Sequence, residues 1–151
     1  GDLLVAQDAD LATVESCTGG LLAHRLTNVP GSFRYMLQGS ITYSNKSKMT
    51  EVDVPHELID RHGAVSAEVA EAMALGARRC AGSTYALATT GIAGPGGGTD
   101  KKPVGLVYIA LAGPRGTVEV IKRHFPGDRL DFKKRTTTAA LDLLRLHLLR
   151  A

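Results

Sequence analysis

The spacing of apolar positions changes several times along the chain, and each change marks an element. Leu11-Ala12-Thr13-Val14 is a short β-type run, and residues 21–26 carry a helix-like one. Tyr35, Leu37, Ile41 and Tyr43 fall on one face of a strand over 35–43. Its other face (Met36, Gln38, Ser40, Thr42) is mixed, so this strand is expected to be partly buried. A polar segment, 44–48, precedes a short helix around 55–61 that Gly63 ends. Ser66 is placed to cap the next helix, whose stripe is Val69, Met73, Ala77 and Cys80, with Gly82 closing it. Cys80 is therefore expected to be a small buried apolar residue.

Residues 85–90 form a continuous small, apolar run, which suits a strand covered on both faces. A glycine-rich loop, 91–103, follows. Residues 104–112 and 117–125 read as two strands joined by the turn Gly113-Pro114-Arg115-Gly116. The last element is a helix over about 129–149, capped by Asp128, with Leu141, Leu144 and Leu148 facing the core. The total is five strands and about four helices. Helical crossovers impose parallel pairing on the early strands, while the final hairpin is antiparallel. Both constraints are met by a three-layer α/β/α sandwich around a mixed, mostly parallel five-stranded sheet. No repeat or linker divides residues 1–151, so one domain is expected.

Composition narrows the classes without choosing one. A chain of 151 residues buries roughly two-thirds of its unfolded surface, enough for a real core. No apolar run approaches the ~20 residues of a membrane span and no signal peptide is recognisable, so a cytoplasmic location is expected. Cys17 and Cys80 have no metal-ligand spacing, so neither a disulfide framework nor a zinc site is indicated. A net charge of +3 is too small to argue for a nucleic-acid partner. The short runs Arg78-Arg79, Lys101-Lys102 and Lys133-Lys134-Arg135 read as solvated surface.

Three segments could carry chemistry. Glu15-Ser16-Cys17-Thr18-Gly19-Gly20 lies between a strand and a helix, where unpaired N–H groups point outward. Such a turn suits a bound anion or a serine nucleophile, or simply a helix cap made by Ser16 or Thr18. In the second segment, Tyr43 and Lys48 leave a strand end together and could reach one pocket. A neutral lysine beside a serine can act as a general base; alternatively, Tyr43 belongs to the core and Lys48 to the surface. The third segment, 90–99, follows the buried strand, and its glycines permit close approach to a ligand. It is neither a P-loop nor a dinucleotide fingerprint, and it fits an anion-binding loop or a mobile surface loop. Arg129 starts the last helix, where a cation opposes the helix dipole. Either a ligand or the adjacent Asp128 would account for it.

Glu15-Ser16-Cys17-Thr18-Gly19-Gly20, Tyr43-Ser44-Asn45 with Lys48, and His62-Gly63-Ala64-Val65-Ser66 are followed by Thr90-Gly91-Ile92-Ala93-Gly94-Pro95, Lys102-Pro103-Val104-Gly105 and Gly127-Asp128-Arg129. In this order they resemble the CinA C-terminal domain family, the nicotinamide mononucleotide deamidases, over nearly the whole chain. The resemblance implies hydrolysis of the carboxamide of nicotinamide mononucleotide to nicotinate mononucleotide and ammonia, in pyridine nucleotide recycling. It implies no metal and no organic cofactor. Ser16 would be the nucleophile, Lys48 its base and Tyr43 a proton-shuttling hydroxyl. Thr90 would orient the amide or the base, and the turn at Thr18, Gly19 and Gly20 would hold the oxyanion or the substrate's polar edge. The loop containing Gly94, Gly96 and Gly97 would surround the ribose phosphate together with Arg129.

A homo-oligomer, most simply a dimer, is expected, with a small-molecule nucleotide as the partner. The family usually has a longer helix before its first strand, and some relatives carry a second, metal-dependent nucleotide-hydrolysing domain ahead of this one. The chain is thus expected to be a stand-alone form or a fragment. The competing function is a non-catalytic nucleotide-binding domain with a regulatory or interaction role, which would have no need of a buried lysine.

Overall fold

The computed structural model describes residues 1–150. Five strands, β1 (Leu11–Glu15), β2 (Met36–Ile41), β3 (Tyr85–Gly91), β4 (Leu106–Ala112) and β5 (Val118–His124), form one sheet in the order β2-β1-β3-β4-β5. β1 pairs in parallel with both β2 and β3, whereas β3–β4 and β4–β5 are antiparallel. Only β4 therefore runs against the other four, and the mixed sandwich is as expected.

Alternation along the strands divides the interior into two unlike halves. Leu11, Tyr85, Leu87, Val107, Ile109 and Leu111 face one side. They meet α1 (Asp2–Ala6), α2 (Leu21–Thr27) and α6 (Arg129–Arg150), through Leu4, Leu22, Phe132 and Leu144 among others. Ala12, Val14, Ala86, Ala88, Ala110 and Ala112 face the other side. Against this nearly all-alanine surface lie α3 (Asn45–Val52), α4 (His56–His62) and α5 (Ala67–Ala81). Small strand residues let α5 approach closely, and Gly76 lets α3 approach α5. A Cβ on Gly76 would sit 1.8 Å from the carbonyl oxygen of Val52.

Several local expectations are corrected. The polar segment 44–48, which carries no element in the sequence pattern, caps and opens α3, and a short α1 occupies residues before β1. Ser66 does cap α5, accepting from the Val69 N–H, and Asp128 caps α6 by accepting from the Asp131 N–H at 2.9 Å. Cys80 is exposed, because the last turn of α5 runs beyond what covers Val69 and Met73. β2 is an edge strand, and Leu37, Ile41 and Tyr43 project into solvent at 50–60% exposure while Tyr35 is buried.

The chain leaves β1 through α2 to reach β2 on one side, and returns through α3, α4 and α5 to β3 on the other. The carboxyl end of β1 is thus the point where the order of strands reverses, the place where open α/β sheets hold ligands. Ser16 is the first residue beyond it.

Candidate functional site

Ser16 is fixed to β3 by its N–H, which donates to the Thr89 carbonyl at 2.9 Å. Beneath it, the buried Glu15 carboxylate turns back into the start of α2. It accepts from the Thr18 hydroxyl at 2.6 Å and from the N–H groups of Gly20, Leu22 and Ala23 at 3.1, 2.9 and 2.8 Å. The Thr18 proton is spent on Glu15, so Thr89 donates in the 2.7 Å contact between the two threonine hydroxyls. The helix is therefore capped by Glu15 and not by Ser16 or Thr18. That leaves the Ser16 hydroxyl available for other work.

The Gly19 N–H donates to the Ser16 carbonyl and the Gly20 N–H to Glu15, so neither is open to a ligand. Their positive φ values, 58° and 96°, shape the turn instead. Among the described residues, the N–H groups of Cys17 and Thr18 have no acceptor.

Lys48 approaches Ser16 from the other side. Ser44 caps α3 in a reciprocal box with Ser47, and the helix carries Lys48 inward until it is only 1% exposed. Its Nζ lies 3.2 Å from the Ser16 Oγ, 2.7 Å from the Thr42 carbonyl oxygen and 3.5 Å from that of Tyr43. Burial pulls its pKa below the ordinary lysine value. The two carbonyls can only accept. A neutral amine that donates its two protons to them turns its lone pair toward Ser16, which is the geometry of a base.

Cys17 also lines the cavity, but burial pushes its thiol pKa up to about 12. It is protonated at any ordinary pH, and a thiol in that state is a poor nucleophile.

Ser16, Tyr43, Lys48, Thr90 and Arg129 share a cavity of about 230 Å³. A larger apolar cavity, about 380 Å³ and lined by Leu4, Tyr35 and Leu144, contains none of them. Tyr43 is 60% exposed at the rim, so the lysine is interior and the tyrosine peripheral. Its hydroxyl accepts from the Arg129 guanidinium at 2.8 Å and contacts neither Ser16 nor Lys48. Arg129 also donates to the Gly94 carbonyl at 2.8 Å. No carboxylate pairs with it among the described residues, Asp128 included. Thr90 donates to the Ala64 carbonyl at 2.8 Å and so fixes the loop before Ser66.

Gly96 and Gly97 are exposed and lie outside the cavity lining. Asn45, Ala64, Val65, Gly91 and Ala93 complete the wall. Sequence reasoning assigned roles to none of these five, nor to Glu15 or Cys17, although all seven lie within the ordered motifs. Among the described residues, no group of three or more His, Cys, Asp or Glu could hold a metal ion. No helix there is long and apolar enough to cross a membrane.

Residues 1–148 match the model of the CinA C-terminal domain. The chain is 55% identical over 139 residues to a CinA-like protein of Geotalea uraniireducens (strain Rf4), covering 92% of this chain and 33% of that protein. It is 51% identical over 144 residues to a putative competence-damage inducible protein of Moorella thermoacetica, covering 95% and 34%. It thus spans about a third of the length of these curated relatives.

A crystal structure of a CinA superfamily protein from Klebsiella pneumoniae 700603 superposes with a TM-score of 0.95 at 33% identity, covering 99% of this chain and 93% of that one. The competence/damage inducible protein of Agrobacterium tumefaciens gives 0.92 at 38% identity, over 96% and 88%. With family model, sequence relatives and solved structures in agreement along nearly its full length, the chain belongs to the CinA C-terminal domain family.

Proposed function

We propose that the chain is an amidohydrolase that converts nicotinamide mononucleotide to nicotinate mononucleotide and ammonia through a serine–lysine pair. The observation that carries this reading is the buried Lys48 amine 3.2 Å from the Ser16 hydroxyl, with its proton affinity lowered by burial. A binding module gains nothing from burying a lysine against a serine, whereas a nucleophile needs a neutral base.

In this mechanism Lys48 takes the Ser16 proton as Oγ attacks the carboxamide carbon. Charge developing on the carbonyl oxygen is met by the Cys17 N–H at the head of the turn. The ammonium of Lys48 then gives its proton to the leaving nitrogen, and ammonia departs from the acyl-serine. Water, deprotonated by Lys48, cleaves that ester, and the proton returns to Ser16. The proton for the leaving nitrogen travels from Lys48 by way of the Tyr43 hydroxyl, which exchanges Arg129 for the substrate amide when the substrate binds. Arg129 keeps further N–H donors beyond those on Gly94 and Tyr43, and these suit a phosphate.

The test is ammonia release from nicotinamide mononucleotide by the purified protein and by Ser16→Ala. Release that depends on Ser16 supports the enzyme. Nucleotide binding without any release makes the chain a binding module.

A further inference from the structure

The run Lys133-Lys134-Arg135 divides on the structure, because its three cations have different surroundings. Arg135 lies 4.7 Å from the centroid of the Phe125 ring, pairs with Asp131 at 3.6 Å and donates to the Pro126 carbonyl. The Lys134 side chain is exposed. Lys133 is half-buried, and its Nζ sits 3.4 Å from where a Cβ on Gly19 would be. Among the described residues its ammonium makes no ion pair and no hydrogen bond.

Lys133 follows Arg129 by four residues on α6, so the two side chains share a helix face. Arg129 reaches the rim of the cavity at Tyr43 and Gly94, and Lys133 reaches the turn whose Gly19 is bonded to Ser16. The acids around them are already committed. Glu15 is occupied by backbone N–H groups and Thr18, Asp128 by the Asp131 N–H, and Asp131 by Arg135. Arg129 thus lines the cavity, Lys133 lies one helical turn further along at the Gly19 turn just outside that lining, and neither is paired with a protein anion among the described residues. An unpaired lysine whose side chain is half-buried in that position is stabilised by a ligand anion.

We infer that Lys133 is a specificity residue, the second cation of a subsite that, with Arg129, holds the phosphate monoester of the substrate. This rests on the proposed nucleotide reading, which supplies the phosphate. A monoester near neutral pH carries close to two negative charges, which one arginine tethered at two of its N–H groups leaves only partly matched. Bare Gly19 gives the ammonium its place, since any side chain there would contact it.

The test separates this inference from the reaction. Ribose 5-phosphate, with ribose as its uncharged control, is titrated into wild type, Lys133→Ala, Lys133→Arg and Lys134→Ala by calorimetry. A weakening of at least about 5- to 10-fold is expected for Lys133→Ala, the size of one charge-assisted contact, with partial recovery in Lys133→Arg and none of the loss in Lys134→Ala.

In turnover, the KM for nicotinamide mononucleotide should rise in Lys133→Ala with kcat little changed. The loss on the corresponding nucleoside should be smaller by at least about 5-fold. Equal ribose 5-phosphate affinity in wild type and Lys133→Ala, or no binding by wild type, overturns the inference. If wild type releases no ammonia yet Lys133→Ala still weakens ribose 5-phosphate, the proposed reaction fails and the phosphate subsite stands.

Discussion

The Arg129 guanidinium donates to the Tyr43 hydroxyl at 2.8 Å, joining the start of the last helix to the end of the edge strand across the mouth of the cavity. Arg129 is thereby held by the same tyrosine that the proposed reaction uses. Arg129→Ala should weaken nicotinamide mononucleotide by about 1.5–3 kcal/mol, the range for a charge-assisted bond, with a much smaller loss for the nucleoside. Tyr43→Phe should lower kcat in its own right. Because the residues touch, a double-mutant cycle on kcat/KM should show roughly 0.5–3 kcal/mol of non-additivity. Strict additivity would mean the contact has no part in turnover.

Ser16→Ala should abolish deamidation while leaving the thermal midpoint near that of wild type. The helix cap belongs to Glu15, so the lost hydroxyl takes no capping bond with it. Full activity in this variant would remove Ser16 as the nucleophile.

Lys48→Arg should lose at least the ~10²-fold attached to general-base catalysis, because a guanidinium stays protonated. Wild-type activity should rise with pH through the lowered Lys48 pKa and level off before the ordinary lysine value. The sign for stability follows from the same shift. Between the folded and unfolded pKa values the unfolded state binds more protons, so stability also rises with pH across that window. Lys48→Met should be inactive yet more stable at neutral pH by about 1 kcal/mol, or 2–4 °C in Tm. Its advantage should shrink as pH climbs. A Met variant less stable than wild type at pH 7 would show that the amine's three contacts outweigh its burial.

Glu15→Gln should destabilise the fold by about 1–3 kcal/mol, since the amide turns donors toward N–H groups that need an acceptor. Amide exchange at Leu22 and Ala23 should accelerate, and activity should fall with the disordered turn. Unchanged exchange at those two positions would refute this account of the cap.

Gly76→Ala places a methyl on the Val52 carbonyl at the end of α3, the helix that carries Lys48. A loss of at least about 1–3 kcal/mol is expected from the overpacking. Catalysis should suffer beyond what stability explains, because α3 must shift. Chemical denaturation alongside kcat at a temperature where the variant is fully folded would separate the two effects.

The inner strands were legible because a sheet covered on both faces demands an unbroken apolar run, as in Tyr85 to Ala88. α3 was not, because its inward residues include Lys48 together with Val52, and a lysine counts as polar in any pattern. The residue that hides the helix is the one on which the proposed mechanism depends. Cys80 misled for the opposite reason: its angular position matches Met73, but periodicity does not say where a helix outruns its cover. Glu15 was quoted within its motif yet given no role, since a carboxylate reaching as far as eight residues ahead to cap a helix leaves no short-range signature. Arg129 was read as awaiting either a ligand or Asp128, whereas its bonds go to Gly94 and Tyr43, positions 35 and 86 residues away in the chain.

The order of strands has a consequence for how the protein comes to life on the ribosome. Ser16 and Lys48 are 32 residues apart and both emerge before β3. The residues that fix and dry them, Thr89 on β3 and the alanine-faced helix α5, emerge later. Until those arrive, Lys48 is wetted and fully charged, and Ser16 is an ordinary alcohol. A nascent or truncated chain ending before β3 would carry both side chains without the proposed chemistry, so completion of the sheet is what would switch the proposed hydrolase on.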